Sequence, residues 1–202
     1  MRRVGLLDYG SGNLHSAARA FQNAGADVIV SADHGDLLTC DGLLVPGVGA
    51  FAACMAGLRA VGGVDLIRGW AEAERPLLGI CVGHQILFDA GHEHGDGSTG
   101  VGLFDGEVTA LAARRLPHMG WNTVSAPEGS RLLAGLAGER FYFVHSYAAA
   151  TGPADALIAR ARHEDAEFVA AIESGSVSST QFHPEKSGRA GARLIANWLA
   201  TG

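Results

Sequence analysis

Short apolar runs alternate with amphipathic stretches along most of the chain. Val4 to Tyr9 reads as a buried strand that ends at Gly10-Ser11-Gly12-Asn13. Leu14, Ala17, Ala18 and Phe21 then fall at i, i+3, i+4 and i+7, one face of a helix that Gly25 stops. Val28 to Val30 is a second strand, and Gly42 to Val45 a third, broken by Pro46-Gly47-Val48-Gly49. Helical periodicity covers roughly 51–60 and 64–74. Pro76 precedes Leu77-Leu78-Gly79-Ile80, a bounded apolar run of the kind found in a central strand buried on both faces. His84 to Ala90 reads as helix. From about 95 to 183 glycine-rich turns separate stretches such as Arg140-Phe141-Tyr142-Phe143-Val144 and 167–172, which predict hairpins and mixed strands. A last helix lines up Gly191, Leu194, Ile195 and Trp198. This order predicts an α/β fold with a mixed, mostly parallel central sheet flanked by helices. No repeat or linker interrupts it, so residues 1–202 are expected to form a single domain.

Composition narrows the function classes. Hydrophobic residues make up 48% and charged residues 18%, which suits a compact core and not a disordered chain. The net charge is -6 and the basic residues are scattered, whereas a nucleic-acid surface needs clustered Lys and Arg to displace counterions. No nucleic-acid partner is expected. The run after Arg2-Arg3 is too short for a signal segment, and no stretch approaches a membrane span. Cys40, Cys54 and Cys81 are odd in number and form no C-x-x-C pair, so the expected setting is a reducing cytoplasm. Lys186 is the only lysine.

One cysteine has a context that the others lack. Gly79-Ile80-Cys81-Val82-Gly83 has the form G-x-C-x-G between a strand and a helix, the cysteine version of a nucleophile elbow. Such a bend brings the flanking backbone so close that a Cβ two residues to either side would clash. It lifts the sulfur above the sheet, sets it at a helix N-terminus and leaves the Val82 N–H ready to bind an oxyanion. Cys40 and Cys54 are expected to be structural.

A base and its orienter stand near the other end, in Gln181-Phe182-His183-Pro184-Glu185-Lys186-Ser187. In an extended segment, His183 and Glu185 at i and i+2 point the same way, so the carboxylate can fix the imidazole's tautomer. A thiol activated by a histidine that an acid orients is the logic of a catalytic triad. His92-Glu93-His94 lacks further ligands at a usual spacing, so no metal and no cofactor is expected. His15, His34 and His163 are expected at the surface. Gly10-Ser11-Gly12 follows a strand and opens a helix, which leaves a phosphate cradle open as a reading of that loop.

Together these motifs resemble the class I glutamine amidotransferases, flavodoxin-like α/β proteins. The segments Pro46-Gly47-Val48-Gly49, Gly79-Ile80-Cys81-Val82-Gly83-His84-Gln85 and His183-Pro184-Glu185 carry the likeness to the class. Asp8-Tyr9-Gly10-Ser11-Gly12-Asn13-Leu14, Pro117-His118-Met119-Gly120-Trp121-Asn122 and Tyr142-Phe143-Val144-His145-Ser146-Tyr147 make it most similar to the glutaminase subunits that serve a cyclase of histidine biosynthesis. The resemblance implies that Cys81 attacks the carboxamide of L-glutamine to give a glutamyl thioester, with His183 exchanging protons and Glu185 holding it. It implies an oxyanion segment at Val48 and Gly49, completed by Val82, whose backbone flips before an amide points inward. Gln85 and Glu93, with the backbone of His145, Ser146 and Tyr147, match positions that hold the bound glutamine. The implied partner is a separate β/α-barrel cyclase in a heterodimer, receiving ammonia through a protected channel, and the resemblance places the 10–12 loop on the cyclase-facing side. Two positions depart from the pattern: His84, where methionine is usual, and Ala148, where a second aromatic is usual. The residues leave open a glutaminase of pyridoxal phosphate or anthranilate synthesis, a non-catalytic module on the same fold, and a cysteine hydrolase such as a peptidase.

Overall fold

The computed structural model describes residues 1–93 and 95–201. In chain order the elements are β1 (Arg3–Leu7), α1 (Leu14–Asn23), β2 (Asp27–Ser31), α2 (His34–Leu38), β3 (Gly42–Val45), α3 (Phe51–Ala60), α4 (Gly63–Glu72), β4 (Leu77–Ile80) and α5 (Val82–Gln85). There follow β5 (Phe88–Glu93), β6 (Asp96–Thr99), β7 (Phe104–Ala110), β8 (His118–Thr123), β9 (Arg140–His145), β10 (Tyr147–Ala149), β11 (Leu157–His163), β12 (Ala166–Ser174), β13 (Val177–Thr180) and α6 (Gly188–Leu199). The largest sheet runs β11-β12-β13-β4-β3-β1-β2. Its five strands from β13 to β2 pair in parallel, while β12 and β11 join antiparallel at one edge. A smaller sheet runs β10-β7-β5-β6, and β8 and β9 form an antiparallel pair.

Burial explains why the central strands read as continuous apolar runs. Every residue of β3 and β4 is buried, which a strand covered on both faces requires. Helices close the faces with large side chains. Phe21 of α1 meets Trp198 of α6 edge-on at 5.7 Å, and both rings are fully buried. Burying one such aromatic or aliphatic side chain stabilises the fold by roughly 1.5–3 kcal/mol. Asn13 caps α1, its side chain accepting from the Ser16 N–H, and Gly25 leaves the helix with φ of 93°.

Register then assembles a site. Val45 of β3 lies beside Gly79 of β4, and Ile80 of β4 beside Thr180 of β13. Three segments rich in candidate chemistry, 46–49, Cys81 and 181–185, therefore leave the sheet at the C-terminal ends of adjacent parallel strands. Ligands of open α/β sheets bind at that edge.

One element differs from expectation. In place of a helix over His84 to Ala90, the helix after Cys81 is four residues long and Phe88–Glu93 is a strand. Ile86, Leu87 and Phe88 are consecutive buried residues without a helical period, and the carbonyls of Ile86, Leu87 and Phe88 accept from the 101–104 backbone. Pairing with β7 outweighs local helix preference.

Candidate active site

The bend between β4 and α5 carries Cys81 at φ 57° and ψ −113°, a conformation that a residue with a Cβ adopts only when its surroundings enforce it. The enforcement comes from crowding. A Cβ on Gly79 would lie 2.6 Å from the Gly83 oxygen, and one on Gly83 would lie 1.9 Å from the Val45 oxygen. The Cys81 N–H donates to the Thr180 carbonyl at 2.8 Å, and its carbonyl accepts from His84 and Gln85 at 3.0 and 3.1 Å. A helix this short adds little dipole, which leaves an imidazole as the charged neighbour of the sulfur.

That imidazole is His183. Its backbone N–H donates to the Tyr142 carbonyl at 2.9 Å, and the Ser187 hydroxyl donates to its carbonyl at 2.6 Å. Glu185 sits in a single 3-10 turn (Pro184–Lys186), not in the extended segment expected from the sequence; Pro184 at the head of the turn sets that geometry. The carboxylate still reaches the ring, with Nδ1 2.7 Å from Oε1 and both side chains buried. Nε2 makes no hydrogen bond and is buried, as is the second oxygen of Glu185. Burial alone would push the His183 pKa down; the Cys81 sulfur and the Glu185 carboxylate outweigh it and raise it to about 9. At neutral pH the ring carries the proton.

The two groups open on one cavity of about 280 Å³. Its walls bring together Cys81, His183, Val48, Gly49, Val82, Gln85, Glu93, His145, Ser146 and Tyr147, while Glu185 stands behind His183. Gln85 Nε2 donates to the Tyr147 carbonyl at 2.9 Å and to Gln181 Oε1 at 3.0 Å. Glu93 accepts from the Phe51 N–H at 2.9 Å. Burial drives His145 and His84 down to about 3, so both are neutral. Val144 and Lys186 also line the cavity and were missed as site residues. The signal for Lys186 was its being the only lysine, two residues after Pro184.

The segment expected to meet an oxyanion has its amides turned elsewhere. The Val82 N–H donates to the Gly47 carbonyl at 3.3 Å, and the Val48 N–H donates to Ser11 Oγ at 3.1 Å. Gly47 C=O and Val48 N–H belong to one peptide unit, so one rotation of it frees the first donor and redirects the second. Gly49 follows with φ of 85°. Ser11 Oγ and Cys54 Sγ both donate to the Val48 carbonyl, at 2.9 and 3.3 Å. Cys54, expected to be structural, thus touches the site, whereas Cys40 is buried away from it with its thiol 3.7 Å from the Asp36 carbonyl. His163 is half-buried, one face stacked on His118 at 4.4 Å, because β11 packs against β8. His34 is half-buried too, its ring bonded to the Val61 carbonyl at 2.8 Å, and His15 is exposed. His92 pairs with Glu107 at 3.2 Å, and His94 lies outside the described residues.

The family model of the class I glutamine amidotransferases matches residues 5–201. The chain is 57% identical over 198 residues to the imidazole glycerol phosphate synthase subunit HisH of Cutibacterium acnes, covering 98% of this chain and 96% of that protein. To the subunit of the same name in Nocardia farcinica it is 58% identical over 205 residues, covering 98% and 97%. Among solved structures, a glutamine amidotransferase superposes with a TM-score of 0.76 at 20% identity, covering 96% of this chain and 97% of the other. A putative GMP synthase protein from Thermoplasma acidophilum superposes at 0.73 and 21%, covering 98% and 92%. At such identities the structures speak for the fold, and the close relatives speak for the family.

Proposed function

The chain belongs to the class I glutamine amidotransferases, among the HisH subunits of imidazole glycerol phosphate synthase, and from that premise we propose how its cavity works as a glutaminase. Cys81 Sγ, its proton held by His183, adds to the side-chain carbonyl carbon of L-glutamine. Once the 47–48 peptide has turned, the oxyanion is met by the Val82 and Val48 N–H groups. His183 gives its proton to the departing nitrogen, which leaves as ammonia, and a glutamyl thioester remains. Water then adds to the thioester while His183 takes its proton, and expulsion of the sulfur yields glutamate. Glu185 keeps Nε2 aimed at the reaction by holding Nδ1.

The observation that carries this reading is one cavity onto which a strained cysteine and a carboxylate-held, protonated histidine both open. Glu93 and the single lysine at the rim supply opposite charges for the two charged groups of an amino acid. Ammonia is spent by a cyclase of histidine biosynthesis, a separate subunit that we read as a β/α-barrel. Met119 and Trp121, 62% and 48% exposed, stand two apart on β8, with Met119 opposite Val144 of the cavity wall, and give an exposed apolar face that suits a partner. Three free cysteines agree with a reducing cytoplasm, no described helix is long and apolar enough to cross a membrane, and the shared core supports a single domain.

The test is glutamine-dependent ammonia release with the cyclase and its ligand, by wild type and Cys81→Ala. Release should vanish in the variant; ammonia released at the wild-type rate without the sulfur would overturn the mechanism.

A further inference from the structure

The Tyr147 carbonyl is a junction between the cavity and a buried histidine pair. It accepts from Gln85 Nε2 at 2.9 Å and faces His145 Nδ1 at 3.0 Å. A carbonyl only accepts, so His145 Nδ1 carries the hydrogen. The ring is neutral, which leaves Nε2 bare and makes it an acceptor. Its partner at 3.0 Å is His118 Nδ1, which must therefore donate. Burial also lowers His118, to about 4, so it too is neutral and its Nε2 is bare. Asn122 Nδ2 lies 3.3 Å from that nitrogen and 2.8 Å from the Arg162 carbonyl, and Asn122 Oδ1 accepts from the Thr123 N–H at 2.9 Å. Every orientation in the chain is thus fixed: Asn122 donates to His118, His118 to His145, and His145 to the Tyr147 carbonyl.

Packing holds the ring that starts the relay. His118 stacks on His163 at 4.4 Å and lies against Phe143 at 4.9 Å, and both His118 and His145 are buried. At the other end, Gln85 has committed both amide hydrogens, to Tyr147 and Gln181, so it can meet a ligand only through Oε1 as an acceptor. The tautomer of a histidine outside the cavity lining therefore reaches residues of the cavity wall.

We propose that His118 is a positioning residue for glutamine: through His145 it fixes the Tyr147 carbonyl, and with it the 145–147 backbone and the amide of Gln85. This rests on the glutaminase reading. The role is in holding substrate, not in the proton transfers, so its loss separates KM from kcat.

The experiment measures glutamine kinetics of the chain in complex with the cyclase and its ligand. His118→Phe keeps the stacking and loses the donor, and His118→Asn keeps an amide donor near the Nδ1 position. H118F should raise KM for glutamine by about 5-fold or more, the equivalent of one lost hydrogen bond, with kcat within about 2-fold. H118N should recover most of the loss. A wild-type KM in H118F, a fall in kcat alone, or an H118N as impaired as H118F overturns the proposal. If H118F does not fold by circular dichroism, His118→Ala takes its place with the same outcomes. Cys81→Ala runs alongside: ammonia release without the sulfur removes the glutaminase reading itself, whereas a Cys81-dependent enzyme indifferent to H118F removes only the positioning role.

Discussion

His84→Met is a sharp test of how the core beside the nucleophile is held. His84 is fully buried on α5, three residues after Cys81. Nδ1 lies 2.7 Å from Ser179 Oγ, Nε2 has no partner, and the ring packs edge-on against Phe88 at 5.2 Å. Burial, with a smaller push from His145, lowers its pKa to about 3. The unfolded chain takes up a proton as pH falls through the ordinary histidine value near 6.5, while the folded chain does not until about 3. Stability is untouched by this group above pH 6.5 and is eroded steadily below it. At pH 5 the loss is about 1.5 pH units at 1.36 kcal/mol each, or ~2 kcal/mol, and it depends little on where below 4 the folded value lies. Methionine removes the titration. At pH 7.5 the variant should differ by only ~1 kcal/mol, because Ser179 loses one partner while a buried orphan nitrogen disappears. Urea unfolding at pH 7.5 and 5.0 on both chains gives the answer. H84M should lose ~2 kcal/mol less than wild type between the two pH values; equal losses would refute a buried, neutral His84.

Other perturbations read out the site itself. Glu185→Gln should cut kcat by roughly 10²–10⁴ with little change in KM, since the ring loses the partner that orients and charges it; steady-state ammonia release measures this. Gly83→Ala drives a Cβ to 1.9 Å from a backbone oxygen and should cost ~3 kcal/mol or more, a fall of ~6–12 °C in Tm by calorimetry. Ser11→Ala removes the acceptor of the Val48 N–H, worth about 1 kcal/mol, and should raise ammonia release without cyclase ligand about 5-fold. An unchanged basal rate would mean that the hydroxyl does not restrain the loop.

The parallel half of the fold was legible because its signals are local. Runs such as Leu77-Leu78-Gly79-Ile80 mark buried strands, and α1, α3, α4 and α6 show helical periods with capping residues or glycine near their ends. The three candidate triad residues were legible as types, and the register of β4 against β13 is what sets Cys81 and His183 on one cavity, a long-range fact that no window of sequence contains. The helix expected over His84 to Ala90 stops early because the strand character of Phe88–Glu93 comes from pairing with β7. The hairpin half hid more. Nothing in the sequence joins His118 to His145: 27 residues separate them, and only the β8–β9 pairing sets one opposite the other. Ser11 and Cys54 look like a turn and a buried thiol until the fold closes both on Val48.

The proposed nucleophile and base open on one cavity in this structure while the amides proposed to meet the oxyanion point elsewhere, and the energies say what that division does. Losing one donor costs an acyl-transfer enzyme roughly 10²–10³ in kcat. Here two donors are engaged elsewhere through a single peptide unit. Turning it breaks two neutral hydrogen bonds, one of them a long 3.3 Å, at a net cost of roughly 2 kcal/mol. The Val48 carbonyl belongs to the next peptide and stays tethered by Ser11 and Cys54, so the motion need not spread beyond residues 47 and 48. A ligand on the partner subunit that favours the turned form by a few kcal/mol would be enough to switch the population. On the proposed glutaminase reading, glutamine would then be spared when no cyclase substrate awaits the ammonia. The free chain should therefore hydrolyse glutamine slowly and the ligand-bound complex quickly; equal rates would mean that the peptide turns unaided and that the gate lies elsewhere.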